Sequence, residues 1–551
     1  MSVLGKKWVV KNNDFNKSTF EKVLGNRTGI DLNMEEKLHD PFLFDEIEAA
    51  LARIKEAVEK EERIIVFGDY DVDGITGTAI LAQALKKIGA KVSYRLPHRV
   101  EDGYGLTAKF IKDFEENKVS LVITVDCGIS CTDVVEKMKE KGIDAIITDH
   151  HTIPVKKPNA VAILHPKLEG SSYPYPELTG SGVAFKLAHA IIKRFSPDED
   201  IDDYVDLASL GTIADLGPLT GENRTIVKMG LKRLKKTKWT GLRKIMEIAA
   251  IDFNKDMDTT TVGFQIAPRI NAAGRIGDPY LALSLIMQDE KSEKTQALGD
   301  QLEKINGERK IMMKDAFEEA EKRVVDAGKV PPIIIIEDKG WHVGIVGLVA
   351  GRLAEKYGRP AIIMQDFGEM FVASARSPEH FNVIKAITKF GDYLVSFGGH
   401  AQAAGFNIEK KNLAAFKKDI TKHAGKELKD VDPKPILEID CELNTEEMNF
   451  ALIKELEQLK PFGIENTKPT FLLKNIEPLF VGQVGKEGSH LKFSVRTAKD
   501  EVRVIAFRMG EHVDKMRKHR KIDVVCHLER NHWNNKDYVQ LQALDFEKSQ
   551  Q

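Results

Sequence analysis

Hydrophobic residues in the first part of the chain follow two alternating rhythms. RIIVF (63–67), SLVITV (120–125) and IDAIIT (143–148) are short, largely β-branched runs, the pattern of strands buried on both faces. Around them lie TGTAILAQALKKIG (76–89), TAKFIKDFEENK (107–118) and TDVVEKMKEKG (132–142), where apolar residues recur every three or four positions. That spacing predicts amphipathic helices, the first stopped by glycine. KVSYRLP (91–97) reads as a further strand. Repeated strand–helix units of this size predict an α/β domain built on an open parallel sheet, with helices on both faces.

The rhythm changes near residue 290. Residues 293–327 are a densely charged helical stretch, a solvated connector between domains. PPIIIIED, VGIVGLVAGRLAEKYG, PAIIMQD and FVASARS then alternate strand, helix, strand and strand, which predicts a smaller α/β domain. Between residues 469 and 546, HLKFSV, EVRVIAF, KIDVVCHLER and DYVQLQALDF alternate with a period of two. With NHWNNKD as a turn, they predict a small OB-like β-barrel. The alternation directs Phe493 inward with Leu491 and Val495, and leaves Trp533 in the turn. The expected organisation is an N-terminal extension (1–37), a first domain (38–290), a connecting helix (291–328), a second α/β domain (329–430) and the barrel (431–551).

Composition narrows the class. With 551 residues, 42% hydrophobic and 30% charged, the chain is an ordinary globular sequence long enough for several cores. No apolar run approaches the ~18 residues of a membrane helix. The N-terminus MSVLGKKWVVKNN shows no export signal. Cys127, Cys131, Cys441 and Cys526 form no C-x-x-C pair and read as reduced, buried thiols. A cytoplasmic monomer without membrane attachment is expected. Net charge is −2, yet residues 461–551 hold sixteen Lys and Arg against twelve Asp and Glu, a weak pointer to nucleic acid.

The candidate chemistry sits where strands end. GDYDVDG places Asp69, Asp71 and Asp73 just after RIIVF and imitates the start of an EF-hand loop. An EF-hand needs a bidentate Glu at loop position 12 and a flanking helix before it; here Ile80 and a strand occupy those places. Asp126 follows the second strand, and Asp149, His150 and His151 follow the third. Helix capping accounts for a single Asp after a strand, not for a triple-acid loop and adjacent histidines at one sheet edge. Crowded carboxylates call for divalent cations. Asp215, at the end of the apolar helix 205–216, joins them as a fourth candidate. Oxygen-rich ligands with imidazole suit Mn²⁺ or Mg²⁺, and their number suggests two ions hydrolysing a phosphoryl ester.

These motifs carry a resemblance. GDYDVDG, TVDCGI, TDHH and GTIADLGPL are similar to the signatures of the DHH phosphoesterase superfamily. HDPFLFDEIEAALARIKEA, APRINAAGRIGD (267–278) and SFGGHAQAAGF (396–406) resemble its RecJ family, over about residues 38–546. The resemblance implies that Asp71, Asp73, Asp126, His150 and Asp215 ligate two Mn²⁺ or Mg²⁺ ions with Asp126 bridging, and that Asp69 is a further ligand. The superfamily's pyrophosphatases carry a His where this chain has Phe67, which speaks against that branch. His151 would face the scissile phosphate, and Asp149 would orient its neighbours.

The same resemblance makes residues 329–430 the DHH-associated domain, with Ser374, Arg376 and His400 binding substrate phosphate and Arg99 and Arg275 as weaker candidates. Trp533, with Phe493, Tyr538, Arg496, Arg503 and Arg530 nearby, is the expected DNA-stacking residue of the barrel. GSGVAF (180–185) lacks the third glycine of a dinucleotide fingerprint and reads as a tight turn opening a helix. The implied function is a 5′→3′ exonuclease for single-stranded DNA in recombination and repair, with single-strand-binding protein and a RecQ-type helicase as partners. A phosphodiesterase for short oligonucleotides or cyclic dinucleotides is the alternative enzyme, and a replication scaffold with a decayed site the non-enzymatic one.

Overall fold

A computed structural model describes residues 2–549, apart from positions 13, 15, 33–36, 100, 104, 433, 498–500 and 535. The chain forms two compact units: Glu36–Val431, and a second made of Met1–Glu35 with Asp432–Gln551.

The first unit opens with a five-stranded, fully parallel sheet. Its strands are β1 (Arg63–Gly68), β2 (Lys91–Arg95), β3 (Val119–Val125), β4 (Asp144–Thr148) and β5 (Ala162–Leu164), in the spatial order β2-β1-β3-β4-β5. Alternate side chains feed two separate cores. Ile64 and Val66 join one cluster with Leu121, Ile123 and Ile146, while Ile65 and Phe67 join the other with Val122 and Ile147. Burial on both faces is why these strands read as unbroken apolar runs. The chain reverses its direction of travel between β1 and β3, the point where open α/β sheets hold ligands.

Helix α1 (Val72–Lys87) begins four residues earlier than the apolar spacing predicts. Asp71 caps it, accepting the Asp73 and Gly74 N–H groups at 3.0 and 3.1 Å, so half of the acidic loop is helix. Helices α2 (Gly180–Phe195) and α3 (Val205–Ala214) pack on the same side. After α4 (Ala267–Ile276), the connector α5 (Glu293–Asp326) runs 34 residues, roughly 50 Å at 1.5 Å per residue. It is more than a solvated rod: Leu302, Asn306, Ala316 and Ala320 line a buried stripe.

The chain then forms β6 (Ile334–Asp338), α6 (Val343–Tyr357), β7 (Ala361–Asp366), β8 (Met370–Arg376), β9 (Leu394–Gly399) and β10 (Ala403–Glu409). Their sheet has the order β9-β10-β8-β7-β6, with only β6 and β7 parallel.

The second unit holds a seven-stranded sheet. In spatial order it contains Cys441–Glu442, Phe471–Ile476, Ile522–Trp533, Lys536–Lys548, Glu501–Ala506, His490–Arg496 and Pro478–Val484. Glu501–Ala506 runs parallel to Lys536–Lys548, and consecutive Phe471–Ile476 and Pro478–Val484 sit towards opposite edges, as in an OB-like barrel. Neither of those two strands was evident from the sequence pattern. Phe493 points inward with Leu491 and Val495, as their alternation predicts. Residues near the N-terminus complete this unit: Lys7–Val10 pairs in parallel with Ile436–Ile439, and buried Arg27 holds Asp440 at 2.9 Å. Among the described residues no helix is long and apolar enough to cross a membrane, and all four cysteines are free thiols.

Candidate metal centre

Three of the five strands of the parallel sheet, β1, β3 and β4, deliver an acid one residue past their own ends, on a main-chain hydrogen bond to the neighbouring strand. The Asp69 N–H donates to the Val125 carbonyl at 3.3 Å, Asp126 to Thr148 at 3.0 Å and Asp149 to Leu164 at 3.2 Å. The carboxylates therefore sit on an extension of the ladder, not on loose loops. Asp126 occupies the left-handed region at φ 59°, a conformation that costs a non-glycine residue on the order of 1–2 kcal/mol and tends to mark functional sites. Its carboxylate fits there only because position 180 has no side chain: a Cβ on Gly180 would lie 2.5 Å from Asp126 Oδ1.

Gly180 does more than leave room. Its N–H donates to Asp73 Oδ2 at 2.7 Å, the Ser181 N–H to Oδ1 at 3.0 Å and the Thr179 hydroxyl to Oδ1 at 3.1 Å. The N-terminus of α2 thus grips the Asp73 carboxylate, as helix N-termini grip anions. The sequence reading of GSGVAF as a turn opening a helix holds, but the role of Gly180 and Thr179 was missed. Only the paired glycines at a helix start hinted at a close approach.

The predicted ligands converge. Asp69, Asp71 and Asp126 form one group with ligand atoms all within 4.8 Å of one another; Asp73, His150 and Asp215 form a second; Asp126, His150 and His151 form a third that overlaps both. His150 Nε2 lies 3.1 Å from Asp126 Oδ1, 3.5 Å from Asp215 Oδ2 and 3.9 Å from Asp73 Oδ2. Asp126 stands at the junction, the position a bridging carboxylate needs.

Charge crowding is severe. Burial, followed by the neighbouring carboxylates, pushes Asp69, Asp71 and Asp126 above the normal carboxylate range, and Asp215 up to about 8. Burial also depresses His150 to about 4, leaving its imidazole neutral and able to donate a lone pair. Among the described residues, none satisfies buried Asp69 Oδ1 or His150 Nε2 with a hydrogen bond. Oxygen-rich donors with neutral imidazole, and no thiolate among them, fit Mn²⁺ or Mg²⁺.

Asp149 is built differently. Its Oδ2 accepts the Ile129 N–H at 2.9 Å, and its Oδ1 accepts the His150 and His151 N–H groups at 2.7 and 3.1 Å. Burial opposes its charge, but the bond to His151 and these amides hold it down at about 2. His151 Nδ1 lies 2.8 Å from the same Oδ1. Burial opposes the imidazolium too, yet the Asp149 bond and charge lift His151 to about 9.

Beside the acidic loop lies a pocket of opposite sign. The Val72 N–H donates to Asn271 Oδ1 on α4 at 3.2 Å, and a Cβ on Gly274 would strike the Tyr70 carbonyl, so α4 lies directly on the loop. Arg99 stacks 4.0 Å above the Tyr70 ring and donates to the Gly274 carbonyl at 3.2 Å. Arg275 donates to the Gly344 carbonyl at the start of α6, and Arg376 to Ser374 Oγ at 3.1 Å. A Cβ on Gly347 would lie 2.9 Å from Ser374 Oγ and 3.3 Å from Arg376 Nη2. Burial first, then Arg99, Arg309 and Arg376, depresses Arg275 to about 10. Arg309, on α5, was not singled out in the sequence.

Arg99, Arg275, Ser374 and Arg376 are therefore brought together. His400 is exposed in the β9–β10 turn, three residues before Ala403, which pairs with Arg376. The remaining candidates lie in the barrel. Trp533 ends the strand Ile522–Trp533 instead of sitting in the turn, and its side chain lies outside the described residues. Arg530 is engaged by Asp537 and Glu457, whereas Arg503 stacks 5.6 Å over the Tyr538 ring on the outer face.

Three family profiles match the chain: the DHH family N-terminal domain over residues 63–212, the DHHA1 domain over 330–426 and the RecJ OB domain over 439–545. The single-stranded-DNA-specific exonuclease RecJ of Bacillus subtilis is 36% identical over 92% of this chain, which spans 64% of the relative's length. RecJ of Thermus thermophilus is 36% identical over 91% of this chain and 70% of its own length. The crystal structure of Thermus thermophilus RecJ in complex with Mn²⁺ superposes with a TM-score of 0.83 at 30% identity, covering 99% of this chain and 80% of that one. Its complex with Mg²⁺ gives a TM-score of 0.76 at 28% identity, covering 99% of this chain and 79% of that one.

Proposed function

The chain belongs to the RecJ family, and from that premise we propose that it is a single-strand-specific 5′→3′ exodeoxyribonuclease that releases 5′-mononucleotides. The observation that carries this reading is the contact between the acidic loop and α4, which sets a divalent-metal site against an arginine pocket. A nuclease that cuts from an end needs both: a group that seizes the terminal phosphate and a hydrolytic centre a fixed distance along.

Asp69, Asp71, Asp73, Asp126, His150 and Asp215 would hold two Mn²⁺ or Mg²⁺ ions. Such ions supply water activation and neutralise phosphoryl charge. Asp149 fixes the His151 ring by accepting from Nδ1, which leaves the other ring nitrogen to place a proton near the oxygen that departs. Arg99, Arg275 and Arg376, with Ser374, bind the phosphate as guanidinium forks and a hydroxyl. In the barrel, the stacked Arg503 and Tyr538 offer a cation and an aromatic face to a strand. A barrel of this kind supports a long strand as the substrate over a cyclic dinucleotide. A single-strand enzyme also needs strands opened and kept open, the work of a RecQ-type helicase and of single-strand-binding protein in a cytoplasmic repair reaction.

The test compares one oligonucleotide labelled at the 5′ or the 3′ end, with and without Mn²⁺, beside the same sequence as a blunt duplex. The 5′ label should be released first, only with metal and only from the single strand. Release of the 3′ label first, or cleavage without metal, would overturn the reading.

A further inference from the structure

The helix that leads to Asp215 ends at a cost to the fold. Past α3, the Leu216 N–H donates to the Ile213 carbonyl at 3.3 Å and the Gly217 N–H to the Thr212 carbonyl at 3.0 Å. This is the Schellman ending, whose left-handed position favours glycine because a Cβ there crowds the backbone. The chain follows that preference elsewhere: Gly89, Gly142, Gly328 and Gly358, all at positive φ, follow α1, the helix Thr132–Glu140, α5 and α6. At other helix ends a charged or small residue takes the place, as Glu61, Lys118 and Ala250 do. Here it is a leucine at φ 59°, and burial does not compensate: Leu216 is 66% exposed.

Location supplies a reason. In the metal centre Asp73, Asp126 and His150 are largely enclosed, while Asp215 and His151 keep 34% and 32% of their side chains open to solvent. A phosphate therefore reaches the ions past Asp215 and His151, and Leu216 adjoins Asp215 at that mouth. Its turn is wedged in place: a Cβ on Gly217 would lie 2.7 Å from Cγ2 of Thr179, whose hydroxyl holds Asp73. In a nucleic acid strand a nucleoside flanks each phosphate on either side, with apolar carbon on the sugar and on both faces of the base. Covering an exposed leucine with such a face is favourable in water, and strain held beside a ligand is the usual mark of a functional group.

We propose that Leu216 touches the substrate, packing against a nucleoside next to the scissile phosphate and so seating that phosphate on the ions. This role rests on the nuclease reading given above and adds to it a residue that positions the strand.

The experiment measures kcat/KM of the Mn²⁺-loaded enzyme on a 5′-labelled single strand, with the Tm of each variant in the presence and absence of Mn²⁺. Leu216→Gly should keep or raise Tm, by up to about 3 °C, because the left-handed turn is relieved. Leu216→Gly and Leu216→Ala should both lower kcat/KM by roughly tenfold, the worth of one apolar contact, and Leu216→Met should keep most of the rate. The Mn²⁺-induced rise in Tm should be the same in all four proteins, which separates the contact from Asp215. Strands with an abasic tetrahydrofuran residue at the first or second position show what is touched. The wild-type advantage over Leu216→Ala vanishes on one of them if the leucine covers the base, and persists on both if it covers the sugar. Wild-type rates in Leu216→Ala, a smaller Mn²⁺ shift in the variants, or a lowered Tm in Leu216→Gly would each overturn the role of Leu216 and leave the nuclease reading standing. A wild type that does not shorten the strand from its 5′ end overturns both.

Discussion

His151 Nδ1 lies 2.8 Å from Asp149 Oδ1, and the same oxygen accepts the main-chain N–H groups of both His150 and His151. One carboxylate therefore fixes the ring of His151 and the backbone that carries His150. Asp149→Asn keeps the volume but presents either a donor or a neutral acceptor where three donors converge. Activity should fall about 10–100-fold, the usual range for residues that orient a metal site, with the fold retained. Circular dichroism and steady-state rates check this; wild-type turnover in the variant would remove Asp149 from the machinery.

Asp71 has two duties that separate by mutation. It caps α1 and offers its remaining oxygen to the metal group. Asp71→Asn keeps a capping acceptor, so thermal stability without metal should hold or rise as repulsion among the carboxylates eases. Asp71→Ala also loses the cap, at about 1 kcal/mol. Both should lose nearly all nuclease activity. Mn²⁺ should raise the Tm of the wild type by mass action and raise it far less in either variant. Equal metal-induced shifts in all three proteins would exclude Asp71 as a ligand.

Gly180→Ala tests how tightly the centre is packed. The new methyl would lie 2.5 Å from Asp126 Oδ1, closer than side-chain carbons approach, while the N–H that holds Asp73 is in the same residue. Displacement of either carboxylate by even 1 Å can cost ~100-fold in rate. The expected outcome is at least that loss, out of proportion to any change in Tm.

The barrel can be weakened without touching the metal centre. Tyr538→Ala removes the ring beneath Arg503. Affinity for a long single strand should drop by about 1–3 kcal/mol, the worth of one stacked base. Fluorescence anisotropy in the absence of metal reads this directly, and unchanged affinity would place the strand on another face.

His189 predicts a pH effect on stability remote from catalysis. Burial, then Lys186 and Lys193, lowers its folded value to about 4 against 6.5 for a free histidine, with Asp40 as the opposing acid. The folded state thus refuses a proton that the unfolded chain accepts. Above pH 6.5 the group has no effect; as pH falls from 6.5 towards 4 the protein loses stability, by up to roughly 3 kcal/mol. In His189→Gln the decline of Tm across that window should be shallower. An identical pH profile in both proteins would contradict the assignment.

Much of the first unit could be read from the chain. Apolar runs such as 63–67 and 120–125 specify strands buried on both faces, and right-handed strand–helix–strand crossings make those strands parallel. Parallel strands end at one rim, so the residues after them, Asp69, Asp126 and Asp149, must meet there. That much follows from local periodicity and chirality alone. The start of α1 was misplaced because the polar loop DYDVDG hides a helical turn whose driving force is the Asp71 cap, not an apolar stripe.

What tertiary structure alone decided depends on residues far apart in sequence. Asp73 is gripped by amides more than a hundred positions away, and the N-terminal segment, with Lys7–Val10 paired to Ile436–Ile439 and Arg27 to Asp440, completes a unit built mainly from residues 432–551. None of these has a local signature. A carboxylate, a guanidinium or an edge strand looks the same in sequence whether water or a distant backbone satisfies it, and only the folded chain brings the partner into reach.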